Sequence, residues 1–431
     1  MSYLFLLLLL FLLFSINKIK SECPPTTKSI EHLINNGHIP GIAIIVTNRK
    51  EILYQQAIGY HSPKQSQLVN ISSSIFPLGS ISKTFIALSI MQMVELNQIN
   101  LDKNINEYLL PLMKINHPDY PNTTITIRHL LSHTSGIGPN FIEELKHYSF
   151  GDHFIQTNLG DVLEKYLNDK SSWLPISPGN ITLYSNIGAT LAAFIVERVS
   201  GISFEKYVQT NILKPLNIDE NKGSYRINHF KEDPNNLIDH FIYNISWLET
   251  YQQMVPQLNI SQADNISNWL YIPLFGSSVY PSGFLRMSTY SLCLYIQSFL
   301  NHFPDLLYNS SSIDEMLRIL PQESYMNVSD LKFGLIWNWK IQNGRRLIGH
   351  DGSLPGIANS IRINEKRNLA VMILTNGDIT RDDKQAKYVQ QIINQLLDQL
   401  FDCFDLPLNK SSFHNYSISI IIFSLFIYLF Y

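Results

Sequence analysis

The sequence predicts an α/β fold of the α+β kind. An antiparallel sheet made from both ends of the chain would be flanked by helices and would carry an inserted all-helical lobe. Three observations predict it: strand-like text near the start, strand-like text again at 333–376, and a mainly helical pattern between, broken by Pro, Gly and Asn. Taken in order, GIAIIVTNRKEILYQQAIG at 41–59 holds two apolar runs separated by polar TNRKE, which reads as a β-hairpin. Residues 81–96 are apolar almost all round, the mark of a buried helix. GATLAAFIVERVSG at 188–201 and SLCLYIQSFLNHF at 291–303 read as further helices. The segments FGLIWNWKI, RRLIGHDG, ANSIRIN and NLAVMILTN then return to strands, and DKQAKYVQQIINQLLDQLF closes the pattern as an amphipathic helix.

Size and charge set limits on this picture. The chain has 431 residues, 45% hydrophobic and 16% charged, and single cores stop growing at roughly 250–300 residues, so one two-lobed domain or two domains are expected. A net charge of -3 gives no electrostatic case for a nucleic-acid partner. Residues 1–21 read as a signal peptide, with the apolar run YLFLLLLLFLLF ahead of polar SINKIKSE and cleavage placed near Ser21. The folded domain is expected over 28–402, followed at 403–431 by a polar spacer and an uncharged hydrophobic tail. That tail resembles the signal for a glycosylphosphatidylinositol anchor; a short tail anchor or a strand packed on the body are the other readings. N-x-S/T sequons begin at Asn70, Asn122, Asn180, Asn244, Asn259, Asn265, Asn309, Asn327, Asn409 and Asn415. With the leader they favour a glycosylated protein of the secretory pathway, extracellular or at the cell surface, with membrane attachment through the tail. Three cysteines are too few for a disulfide scaffold and suit one bridge with one thiol left over.

One residue of the buried helix is out of place. Lys83 sits in its first turn, and no Asp or Glu lies within ten residues along the chain to neutralise it. Burying an unpaired ammonium costs several kcal/mol or lowers its pKa. Ser80 stands three residues earlier, after Gly79, on the same helix face. A desolvated lysine that is neutral near pH 7 can accept the serine proton, and the helix N-terminus offers N–H groups to an oxyanion. A lysine snorkelling to solvent beside a capping serine is the structural alternative. S-x-x-K also occurs at Ser15, Ser203 and Ser329, so the pattern alone is cheap. Tyr184 and Asn186 form Tyr-x-Asn in LYSNIGAT, where a core tyrosine and a capping asparagine are the plain reading. GHDGSLPG, from 349, has the glycines expected beside a ligand but reads equally as a hairpin loop. His129 and His133 are spaced i, i+4, as zinc ligands can be, yet the glutamate of H-E-x-x-H and a third ligand are missing, and no metal is expected.

Together, S-x-x-K at 80–83, Tyr-x-Asn at 184–186 and His-x-Gly at 350–352 resemble the serine β-lactamase and penicillin-binding-protein superfamily, which the S-x-x-K motif marks. They are most similar to its class C-related branch of esterases, D-aminopeptidases and eukaryotic β-lactamase-like proteins. TIRHLLSHTSGI at 126–137 and YPSGFLRMST at 280–289 add to the resemblance, which covers roughly 28–400. It implies a β-lactamase-like fold with Ser80 as nucleophile. Lys83 and Tyr184 would share the proton work, Tyr184 as an anion stabilised by cations. The oxyanion hole would be the N–H groups of Ser80 and Ser353. Asn186, His350 and Gly352 would contact substrate. His350 stands where many relatives have lysine, which weakens any grip on a substrate carboxylate. The resemblance further implies a Cys23–Cys403 disulfide between terminal helices that lie side by side, leaving Cys293 buried and free. The expectation is therefore a serine hydrolase without cofactor, acting through an acyl-enzyme on a small-molecule or peptide-like ester or amide rather than efficiently on β-lactams. A catalytically idle surface binding or scaffold protein is the rival reading.

Overall fold

The computed structural model describes residues 23–65, 67–320, 323–324 and 331–405. The expected leader at 1–21, the hydrophobic tail from 418 to 431 and the sequons at Asn327, Asn409 and Asn415 lie outside these residues.

Five strands late in the chain and two early ones form one antiparallel sheet. In chain order they are β1 (Gly41–Asn48), β2 (Ile52–Gly59), β3 (Lys332–Phe333), β4 (Asn338–Gln342), β5 (Arg345–Leu354), β6 (Ile357–Asn364) and β7 (Leu369–Thr375). In space they run β3-β4-β5-β6-β7-β1-β2. The two ends of the chain meet where β1 pairs with β7, with Ile44 opposite Ile373. Successive side chains of a strand point to opposite faces. Ile42, Ile44 and Val46 of β1 therefore face one layer and Ala43 and Ile45 the other, and all five are buried. An antiparallel sheet covered on both faces reads as a continuous apolar run rather than an alternation, which accounts for GIAIIV.

The first layer consists of α1 (Thr27–Asn36) and the last helix, Lys384–Phe404, whose Ile30, Ile34, Val389, Ile393 and Leu397 pack on the sheet. A disulfide joins Cys23 to Cys403 across this layer, with Cα atoms 5.4 Å apart. The core on the opposite face includes α2 (Lys83–Glu95), α4 (Asn186–Ser200) and α5 (Thr289–Leu300), the last carrying buried, unbridged Cys293, and Leu145 of α3 (Phe141–Lys146) packs against this core; the C-terminal helix is α6.

The insert is not wholly helical, which corrects the expected all-helical lobe. It contains short strands, including His240–Tyr243 paired with Trp269–Ile272, and Arg286–Ser288 paired with Ile75–Pro77. These strands are two to four residues long and mostly buried, too short to display a two-residue period over any useful window. For GHDGSLPG the structure decides between the two readings in favour of the strand expected from RRLIGHDG. It is no loop: residues 345–354 are all β5, and the turn is confined to Pro355 and Gly356.

Candidate active site

The site lies where the start of α2 meets the end of β5. A 3-10 turn, Gly79–Ser82, precedes α2, and residues three apart in such a turn eclipse one another. Ser80 and Lys83 are thereby stacked, and Lys83 Nζ donates to Ser80 Oγ at 2.9 Å. The turn is held from several sides. Asn359 Nδ2 of β6 donates to the Pro77 carbonyl, Leu78 N–H donates to the Leu285 carbonyl, and Leu285 N–H donates to Ser82 Oγ. Gly79 has φ +58, and a Cβ there would sit 2.6 Å from the Ser353 nitrogen. Glycine is thus demanded twice, by the left-handed backbone and by the approach of β5. That approach brings the Ser353 N–H beside the turn that bears Ser80, as an oxyanion hole built from the two would need.

Lys83 is fully buried. Besides Ser80 it donates to the Ser282 carbonyl at 2.6 Å, and its ammonium lies 4.9 Å from the centre of the Tyr184 ring. Loss of water pulls its pKa from 10.5 down to about 7, and the charge of Glu144 only partly opposes this. The carboxylate missing from the neighbouring sequence is supplied in space, but as a distant charge and not as a hydrogen-bond partner.

Tyr184 corrects an expectation. Its hydroxyl is buried; the Ser80 hydroxyl is near enough to favour the phenolate somewhat, yet no well-aligned hydrogen bond forms. Burial outweighs that help, and the charges of Glu144 and Asp351 add to it, so its pKa rises well above the usual 10. Burial thus favours the phenol of Tyr184 over the expected anion, a form suited to donating a proton near neutrality. Asn186 is the first residue of α4, but the cap is Ser185, whose hydroxyl accepts from Gly188 N–H. The Asn186 amide is free to donate to Glu144 Oε2, at 2.7 Å.

Two imidazoles flank Tyr184, with ring centres 4.5 Å (His133) and 6.2 Å (His350) away. His350 Nδ1 donates to the Asp351 carbonyl at 2.6 Å, which leaves its Nε2 a bare acceptor. His133 Nδ1 accepts from Ser185 N–H, which places its proton on Nε2. Both Nε2 atoms are buried without a partner among the described residues. Burial, then the charge of Lys83, lowers both pKa values, that of His350 to about 4. The site therefore holds two neutral imidazoles of opposite hydrogen-bonding sense. The strand bearing His350 is pinned beneath by Asp351, which accepts from Ser360 Oγ and pairs with buried Arg362. Gly352 lies against the Leu78 carbonyl, where a Cβ would come within 2.0 Å.

All the residues expected at the site are brought together. Three contributors were not anticipated: Glu144, the Ser282 carbonyl and His133 as an active-site wall. The helical pairing of His129 with His133 does not form. The helix Ile127–Leu131 ends before His133, which has φ 59, and His129 turns back to accept from Thr126 N–H. Among the described residues no group of three or more His, Cys, Asp or Glu could hold a metal ion.

The sequence pattern of the Beta-lactamase family matches residues 26–395. Protein flp of Staphylococcus aureus (strain N315) is 25% identical over 380 residues, 86% of this chain and 65% of that protein. The chain thus spans just under two thirds of that relative's length. A penicillin-binding protein of Bacillus subtilis is 25% identical over 85% of this chain and 74% of its own. The octameric penicillin-binding protein homologue from Pyrococcus abyssi superposes with a TM-score of 0.66 at 20% identity, covering 88% of this chain and 79% of its own. A D-amino acid amidase from Ochrobactrum anthropi gives 0.67 at 17% identity, covering 87% and 98%. These structural likenesses show a shared β-lactamase-like fold.

The buried lysine predicts an unusual stability profile. The folded state holds Lys83 at a pKa below its unfolded value, so between about pH 7 and 10.5 it binds fewer protons than the unfolded chain. Its cost is full below that window and fades as pH rises through it. Lys83→Met should therefore stabilise the protein by up to about 4 kcal/mol at pH 7, and by progressively less toward pH 10. Denaturant midpoints measured across this range would show it; a stabilisation independent of pH would contradict the assignment.

Proposed function

Because the chain belongs to the beta-lactamase family, we propose that it is a serine hydrolase that forms an acyl-enzyme on Ser80 and acts on esters or amides rather than efficiently on β-lactams. One observation carries this reading: a buried amine with a pKa of about 7 touches the hydroxyl of Ser80 at 2.9 Å. A general base works best with a pKa near the working pH.

In the proposed sequence, neutral Lys83 Nζ takes the Ser80 proton as Oγ attacks the substrate carbonyl carbon. The N–H groups of Ser80 and Ser353 receive the negative charge on the carbonyl oxygen. The lysine proton, or that of Tyr184 replenished from it, passes to the departing alcohol or amine. A water then attacks the acyl-enzyme by the same route in reverse and frees Ser80. Within the family, Tyr-x-Asn at 184–186 and His-x-Gly at 350–352 support a reading beside the class C-related esterases and D-aminopeptidases. The amidase among the structural neighbours supports amides as well as esters as substrates to test. Neutral His350 supports the bias away from carboxylate-bearing β-lactams. An idle scaffold would leave no reason to keep a desolvated lysine on a serine.

We also propose that the protein works in the secretory pathway or at the cell surface. The Cys23–Cys403 disulfide supports an oxidising compartment. So does the exposure of Asn70, Asn122, Asn180, Asn259, Asn265 and Asn309 at sequons. Protein purified from its native source should lose mass on treatment with a peptide N-glycosidase, and an unchanged mass would count against this location.

Since Lys83 and Ser80 act as one unit, their removal should not be additive. Ser80→Ala and Lys83→Ala should each abolish nearly all turnover, with the double variant little worse than either. Lys83→Arg should fail too, because a guanidinium keeps its proton. In the wild type, acylation should accelerate as pH rises through about 7, where Lys83 loses its proton. An active Lys83→Arg enzyme, or a fluorophosphonate label on a serine other than Ser80, would refute the mechanism.

A further inference from the structure

The Ser282 carbonyl takes a hydrogen bond from Lys83 Nζ at 2.6 Å, and it belongs to a 3-10 turn, Tyr280–Ser282. Most hydrogen bonds of this turn are its own. The Ser282 N–H and hydroxyl donate to the Val279 carbonyl, and the N–H groups of Gly283 and Phe284 donate to the Tyr280 carbonyl. A Cβ at Gly283 would meet nothing within 4 Å among the described residues, so no neighbour presses on the turn from that side. Among the described residues, Tyr280 is the only side chain of the turn that is hydrogen-bonded beyond it. Its hydroxyl accepts from Glu205 N–H at 3.2 Å and donates to Glu197 Oε1 at 3.4 Å. The same carboxylate oxygen takes Phe204 N–H at 2.7 Å. The Tyr280 ring is wedged between those of Phe154 and Tyr225, whose centres lie 5.4 and 5.0 Å away. Glu197 stands in the last turn of α4, the helix that Asn186 begins.

A neutral amine carries two N–H bonds and one lone pair, and only the lone pair can take the serine proton. Committing one N–H to the Ser282 carbonyl restricts rotation about Cε–Nζ and lets the lone pair face Ser80 Oγ, 2.9 Å away. We propose that Tyr280 is a positioning residue for this step: its hydroxyl, clamped between Glu197 and the Glu205 N–H, fixes the turn that carries the Ser282 carbonyl and so aims the Lys83 amine at Ser80. The clamp makes α4 a common frame for the lysine, with Tyr184 and Asn186 near its first residue and Glu197, through Tyr280 and Ser282, at its other end. A carbonyl displaced by about 1 Å leaves the amine in place but badly aimed, which slows proton transfer without altering how substrate binds.

The proposal rests on the reading of Ser80 as the acylated residue. Phosphonylation of Ser80 by a fluorophosphonate would be followed against reagent concentration in wild type, Tyr280→Phe, Glu197→Gln and Glu197→Ala. Tyr280→Phe keeps the ring between Phe154 and Tyr225 and removes only the hydroxyl. It should slow the limiting rate by on the order of tenfold, while the half-saturating reagent concentration stays within about twofold. Glu197→Gln, which keeps an acceptor for Tyr280 and Phe204, should lose less rate than Glu197→Ala, which removes it. NMR titration of the Lys83 Cε resonance supplies a second readout. Its midpoint should fall in Tyr280→Phe, because a misplaced carbonyl acceptor costs the ammonium more than the amine. A hydroxyl that only supports the fold would lower the melting temperature and leave both readouts of the folded protein unmoved. A wild-type limiting rate or an unmoved midpoint in Tyr280→Phe, or equal losses in the two Glu197 variants, would overturn the proposal. If Tyr280→Phe does not fold, the Glu197 pair carries the same test. An unlabelled wild-type Ser80 would instead refute the hydrolase reading, and the Lys83 midpoints would still decide whether Tyr280 sets the Ser282 carbonyl.

Discussion

The removal of water from one lysine amine organises the rest of the site. Lys83 sits at the mouth of a helix whose other faces are fully occupied by hydrophobic packing, from Thr84 to Met91 without an exposed residue. Nothing in that layer can hydrate an ammonium, so the proton is held loosely and the amine becomes a base. The same desolvation acts on every neighbouring titratable group, each in the direction of its neutral form. It makes Tyr184 a firm phenol and His133 and His350 neutral imidazoles, and it raises the carboxyl group of Glu144 against the pull of Asn186 and Lys83. A site of this kind stores proton affinity in burial rather than in ion pairs.

Such an arrangement demands rigid scaffolding, because a lysine free to swing would find water. The scaffold is the sheet. Its two halves come from opposite ends of the chain and meet at the β1–β7 pairing, sealed by helices on both faces. β5 then lies so close to Leu78 and Gly79 that only glycine fits at 79 and 352. Backbone N–H groups are delivered to Ser80 by this contact between main chains, and no side chain has to be ordered to do it.

The parts legible in the sequence were those with a strong local signal. The hairpin at 41–59, the helices near 81, 188, 291 and 383, and the late strands are long stretches marked either by a sustained apolar run or by an amphipathic pattern. Ser80 and Lys83 were legible because a charged residue in an apolar helix violates packing logic and so asks for a reason. Other features lacked such a signal. The short strands of the insert are stabilised by tertiary contacts rather than by their own pattern. Glu144 sits beside Glu143 in a helix of six residues, where two acidic side chains read as a solvated face; only the fold turns one of them inward, toward Asn186. His133 was visible, but had no expected role beyond a zinc spacing that was set aside, and that spacing from His129 means nothing once the helix ends before it. GHDGSLPG was ambiguous because its glycines signal turns as readily as close approach; here they allow a strand to press against the nucleophile turn.

The central claim is that Lys83 is a neutral amine over a substantial fraction of molecules near pH 7. The most direct measurement is its own titration, by NMR of the lysine side-chain Cε resonances in isotope-labelled protein, with the Lys83 signal assigned by its absence from Lys83→Met. The account predicts a midpoint near 7, separate from the other lysines. A midpoint above about 9, close to an ordinary solvated lysine, would contradict it.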